Sequence, residues 1–138
     1  MQRYEFLSHV ADIRLRVEAP GKADAFATAM EGMSQLLKHG FCHEGLVPAV
    51  THQVNLKAPD ITCLLIDFLS EVLSLSHIQQ VIFCKAEFQS LTDKELRATV
   101  SGSPVPDFDT DIKAVTYHEA NLHRNKGGQW ETIIIFDI

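Results

Sequence analysis

With 138 residues, 46% of them hydrophobic and 22% charged, the chain has the composition of one globular domain, which excludes a disordered or fibrous protein. A formal net charge of -6 repels phosphate backbones at long range, so it weighs against a stand-alone grip on nucleic acid while leaving open a role beside a basic partner. Met1 to Leu7 carries Arg3 and Glu5 where a signal peptide would be apolar, and no apolar run approaches the ~18 residues of a membrane span. A soluble, cytoplasmic, single domain over 1–138 is therefore expected.

Tyr4 to His9 and Ile13 to Ala19 read as two extended stretches, the second alternating Ile13, Leu15, Val17 against Arg14, Arg16, Glu18. The polar segment Ser8 to Asp12 between them is expected to be a turn or bulge, with Asp12 its one carboxylate. A first helix spans about Lys22 to His39 with Phe26, Met30, Met33 and Leu37 on one stripe, stopped by Gly40. Phe41 to Thr51 is an irregular connector.

Val54 to Ala58 alternates as a strand, and Asp60 is placed to cap a second helix over about Ile61 to Leu75. The apolar face of that helix is Leu64, Leu65, Phe68, Leu69, Val72 and Leu75; Asp67 and Glu71 lie one turn apart on the other side. Val81 to Gln89 and Glu95 to Ser101 form a hairpin, after which Gly102 to Asp111, rich in proline and aspartate, is read as a surface loop.

Lys113 to Arg124 and Gln129 to Ile138 make the last hairpin, turned at Asn125 to Gly128. A two-residue turn would pair Asp137 with His118 and a four-residue turn would pair it with Thr116, so both put His118 and Asp137 on one face; a three-residue turn would not. The order of elements predicts an α+β sandwich of about seven mostly antiparallel strands with two main helices packed on the sheet.

The chain ends on its most strand-like segment, Thr132-Ile133-Ile134-Ile135-Phe136, which fixes the terminal carboxylate of Ile138 beside Asp137. If Asp12 joins them, three carboxylates share one place and repel unless neutralised, and all-oxygen donors favour a hard cation such as Ca²⁺, Mg²⁺ or Mn²⁺. The alternatives are ordinary: an Asp that ends a strand, a solvated Lys113 and a packed His118. His39, Cys42 and His43 offer ligands at a helix end without a second half-site for zinc, and the spacing of Cys42, Cys63 and Cys84 indicates neither a disulfide framework nor a cysteine–zinc site. No G-x-S-x-G, G-x-G-x-x-G or GK[ST] motif occurs, and the aromatic residues do not form a base-stacking platform, so independent catalysis has little support.

Four segments in order, Tyr4 to Ile13 (YEFLSHVADI), Leu64 to Leu73 (LLIDFLSEVL), Ile112 to His118 (IKAVTYH) and Ile135 to Ile138 (IFDI), resemble the archease family from near residue 4 to the end. The resemblance implies a small α+β protein that is not itself an enzyme. It would assist the RtcB-type RNA ligase of tRNA splicing and RNA repair by promoting guanylation of the ligase and multiple turnover. It further implies a divalent cation, Ca²⁺ first with Mg²⁺ or Mn²⁺ as alternatives, held by residues matching Asp12, Asp137 and Ile138, with Lys113, His118 and His9 as further functional candidates. RNA would be met only through the ligase, and a monomer or weak homo-oligomer is expected. Two departures stand out: Ser101 to Asp109 is short, acidic and without histidine, and Arg14 follows Asp12-Ile13 where the family favours glycine. Two other readings are a chaperone-like scaffold without a metal role and a small metal-dependent phosphoesterase.

Overall fold

A computed structural model describes residues 2–7, 12–45 and 47–138. Its elements are β1 (Arg3–Leu7), β2 (Asp12–Ala19), α1 (Lys22–Leu37), a 3-10 turn (Phe41–His43), β3 (Val50–Lys57), α2 (Ile61–Gln79), β4 (Val81–Leu91), β5 (Glu95–Pro104), β6 (Ala114–Thr116), β7 (His123–Arg124) and β8 (Trp130–Asp137). The protein is α+β, with one sheet ordered β1-β2-β8-β6 and β7 beside β8, and a second ordered β3-β5-β4, all pairings antiparallel.

The alternation in β2 is what the core requires: Leu15, Val17 and Ala19 are fully buried, while Arg14, Arg16 and Glu18 lie on the outer face. Opposite them Ile134 and Phe136 of β8 are also fully buried, and Leu96, Ala98 and Val100 of β5 supply the second sheet's inner face. The helices contact both sheets, α1 chiefly β2 and β4, and α2 chiefly β3, β4 and β6. Asp60 caps α2 as the sequence indicates, its side chain accepting from the Cys63 backbone N–H at 2.8 Å.

By length and hydropathy alone α2 could cross a bilayer, contrary to the expectation of no such run. Its apolarity has a local cause: Leu64, Leu65, Ile66, Phe68, Leu69 and Val72 fill the space between the sheets.

Three expectations need correction. β5 continues through Gly102 to Pro104, so the irregular loop starts later than expected. A Cβ on Gly102 would sit 2.0 Å from the Ile82 carbonyl oxygen, so glycine is what lets β4 and β5 approach here. Opposite it, β4 bulges between Phe83 and Lys85, leaving Cys84 out of the ladder. The freed Phe83 carbonyl accepts from the buried Ser34 hydroxyl of α1 at 2.6 Å. The second correction follows from that bulge: Cys84 is disulfide-bonded to Cys42, with Cα atoms 5.4 Å apart. Spacing in sequence concealed the pair because a bulge, not a motif, aims Cys84.

The third concerns the last hairpin. Asn125 donates its backbone N–H to the Gln129 carbonyl at 2.8 Å, closing a three-residue turn that Asn125 Oδ1 braces by accepting from Gly127 and Gln129. The expected first strand, 113–124, is split into β6 and β7 by an excursion over 117–122. Leu122 is buried there, and its backbone N–H bonds the Thr62 hydroxyl at the start of α2.

Candidate functional site

β2 and β8 begin and end at the same edge of their sheet, and their register makes Asp12 and Asp137 direct partners. Residues directly opposed across antiparallel strands point to one face with Cβ atoms ~5 Å apart, so two carboxylates 125 positions apart in sequence are neighbours. On the other side of β8, Ala114 pairs with Asp137, and the Lys113 backbone N–H donates to the Asp137 carbonyl at 2.7 Å. That bond sets Lys113 alongside Ile138, the last residue. Asp12 is half-buried, whereas Asp137 and Ile138 are exposed.

The structure thus brings together Asp12, Asp137, Ile138 and the Lys113 backbone. It does not bring His118 alongside. The observed register pairs Asp137 with Ala114 rather than with Thr116 or His118, and His118 lies past the end of β6. His9 lies outside the described residues.

Among the described residues, no three His, Cys, Asp or Glu side chains come together to hold a metal. Asp12 and Asp137 put two carboxylates side by side, and the family resemblance would add the Ile138 carboxylate to the set. Its chemistry fits a hard divalent cation: every donor is an anionic oxygen, and none is the sulfur or imidazole a softer metal prefers. Three such groups fall short of a full shell for Ca²⁺, so water or a partner's oxygen would complete it. The other ligand types examined in sequence go elsewhere. His39 Nδ1 bonds Gln35 Nε2 at 2.7 Å, His43 lies 3.8 Å from Glu31, and Cys42 is in the disulfide.

Charged groups around this edge were not apparent in sequence. Arg14, next to Asp12 on the outer face, pairs with Glu119 at 2.6 Å and so ties the 117–122 excursion to β2. Glu119 adopts positive φ (61°) at the tip of that excursion. Tyr117 donates its hydroxyl to Asp67 of α2, and this hydrogen bond, followed by desolvation, pushes the phenol up to about 12. The only hint of that pairing in sequence is that Asp67 sits off the apolar face of α2.

The loop leading into β6 is tied to the end of α1. Lys38 Nζ lies 2.6 Å from Asp107 and 3.3 Å from Asp109, the His39 backbone N–H donates to Asp109 at 2.9 Å, and the Asp109 N–H donates to the Leu37 carbonyl at 2.7 Å. The His39 N–H, then Lys38, hold the Asp109 carboxyl below its ordinary range. Asp107 and Asp111 also line an open hollow of ≈ 380 Å³ with His77, Gln80, Pro106 and Phe108.

Residues 4–138 match the model of the Archease protein family. The chain is 31% identical over 145 residues to the protein archease of Methanosarcina mazei, covering 99% of this chain and 97% of that one. It is 27% identical over 146 residues to the protein archease of Pyrococcus abyssi, with both chains fully covered. The solution structure of Methanobacterium thermoautotrophicum protein 1598 superposes with a TM-score of 0.79 at 21% identity, covering 98% of each chain. A Thermotoga maritima crystal structure, described as an archease and possible chaperone, gives 0.66 at 17% identity, with 100% of this chain and 99% of that one covered.

Proposed function

Because this chain belongs to the archease family, we propose that it is a cytoplasmic, non-catalytic accessory protein that activates an RtcB-type RNA ligase by promoting its guanylation and repeated turnover. The observation that supports this reading is the Asp12–Asp137 register, which sets carboxylates from opposite ends of the sequence side by side. Asp12, Asp137 and the Ile138 carboxylate would hold a hard divalent cation, Ca²⁺ first. When bound, such an ion supplies positive charge beside phosphates.

The chain's own residues do the rest. Net charge of -6 steers this edge toward a basic cleft. The β2–β8 ladder then presents both Asp side chains from paired strands rather than from a loop, so little ordering is required on docking. Lys113, hydrogen-bonded through its backbone to Asp137, is exposed beside the site and placed to meet a nucleotide phosphate. RNA is contacted only through the ligase.

The test is ligase guanylation titrated with wild-type protein and with Asp12→Ala, Asp137→Ala and a version extended by one residue after Ile138. Stimulation should fall at least ten-fold in all three variants. Equal stimulation by wild type and variants would reject the proposal. A chaperone-like scaffold is the second reading, favoured by the description of the Thermotoga maritima protein and by exposed Ile78 and Tyr117, 80% and 56% accessible. A scaffold would tolerate the one-residue extension, and a phosphoesterase would turn over substrate with no ligase present.

A further inference from the structure

Cys42 lies in the 3-10 turn between Gly40 and Gly45, both at positive φ (74° and 68°). Backbone bonds in this turn run from the Phe41 N–H to the Lys38 carbonyl at 3.2 Å and from the His43 N–H to the Gly40 carbonyl at 3.1 Å, and the Gly40 N–H donates to Gln35 Oε1 of α1 at 3.0 Å. These bonds, with His43 lying 3.8 Å from Glu31, tie the turn to α1 but not to the sheet, so it opens readily unless something fastens it there. Phe41 leans on the core, and the disulfide to Cys84 supplies the covalent fastening.

Both sulfur-bearing residues are half-buried rather than sealed in the core. Cys84 is the bulged residue of β4, opposite no residue of β5, so the ladder does not depend on the bond. The third cysteine, Cys63, is a free thiol at the start of α2, with its Sγ 3.7 Å from Asp60 Oδ2. The turn that Cys42 anchors directly follows Lys38 and His39, which seat Asp107 and Asp109 of the acidic loop.

We propose that Cys42–Cys84 is a reversible thiol–disulfide exchange site, taking dithiols as its substrate class, and that its state sets the order of the α1 corner and of the acidic loop seated there. One thiolate of the dithiol attacks a sulfur of the bond, the S–S bond breaks, and the other cysteine leaves and takes up a proton. The second thiol of the reductant then closes its own disulfide, releasing the remaining cysteine as a thiol. Two electrons and two protons pass from the dithiol to the protein. With the bond closed the turn is pinned to β4; once it opens, the two flanking glycines allow the turn to lift and the Lys38–Asp109 seat to loosen with it.

The full chain carrying Cys63→Ser is equilibrated with dithiothreitol and its oxidised form over a range of ratios, trapped with N-ethylmaleimide and weighed, with amide hydrogen exchange followed on the same samples. The expected result is one reversible transition from no adducts to two. In the reduced form, exchange across residues 38–45 and 105–111 should quicken at least ten-fold, while the β2–β8 ladder keeps its protection. Cys42→Ser in the same background should reproduce the reduced pattern. Two adducts at every ratio, none at any ratio, unchanged exchange in those segments, or equal loosening of β2 and β8 would each overturn the proposal.

Discussion

Tyr117 condenses how single residues define the candidate edge. Its hydroxyl donates to Asp67, and that hydrogen bond first, then desolvation and the nearby negative charge, push the phenol up to about 12 from an ordinary 10.0. The folded state holds this proton more tightly than the unfolded one. The pair therefore contributes stability in full below about pH 10, lost as pH climbs through about 12. Ultraviolet titration of the phenols should resolve Tyr117 as a late-ionising group, and Asp67→Asn should bring it down toward the ordinary value; a midpoint that Asp67→Asn leaves in place would contradict the hydrogen bond. At this scale the sequence was partly legible. The pairing of Asp12 with Asp137 was within reach, because a family resemblance marks both residues and each stands at the end of a strand. Arg14–Glu119 and Tyr117–Asp67 were not, since each joins segments 105 and 50 residues apart through a fold that local pattern does not specify.

Among the elements, those whose residues all agree were readable from the sequence. β8 has an unbroken row of β-branched residues, and α2 has a wide apolar face with an Asp cap, and both form as their patterns demand. The misreadings occurred where one interaction overrides pattern. The run from 113 to 124 alternates well enough for a single strand, yet burial of Leu122 against α2 pulls the chain out of the ladder, and the three-residue turn then changes every pairing beyond it. The prolines and aspartates of Gly102 to Asp111 suggest a loop from its first residue, whereas Gly102 lies within β5 and permits close approach of two strands. Gly102→Ala places a Cβ 2.0 Å from the Ile82 oxygen, 2.7 Å from its carbon and 2.8 Å from the Phe83 Cα, all of them backbone atoms that cannot rotate away. Chemical denaturation should show a loss of about 1–3 kcal/mol or more, with the β4 bulge disturbed. A variant as stable as wild type would mean that the two strands do not meet in this way.

Over the whole molecule, two sheets and the helices between them bring the first described strand pair and the last strand to a common edge. β8 runs in register as far as Asp137, so that residue stands in the ladder opposite Asp12. The β2–β8 ladder carries eight residue pairs from Ala19–Trp130 to Asp12–Asp137, so the two Asp carboxylates stand at the end of a ladder whose inner face is core. Function then depends on what that edge attracts. Calorimetric titration of Ca²⁺ into the full chain tests this most directly. The account predicts one ion per chain, with affinity reduced at least ten-fold by Asp137→Asn or by one added residue after Ile138, and with the circular dichroism of both variants unchanged. An absence of binding by the wild type, or equal binding by all three proteins, would contradict it.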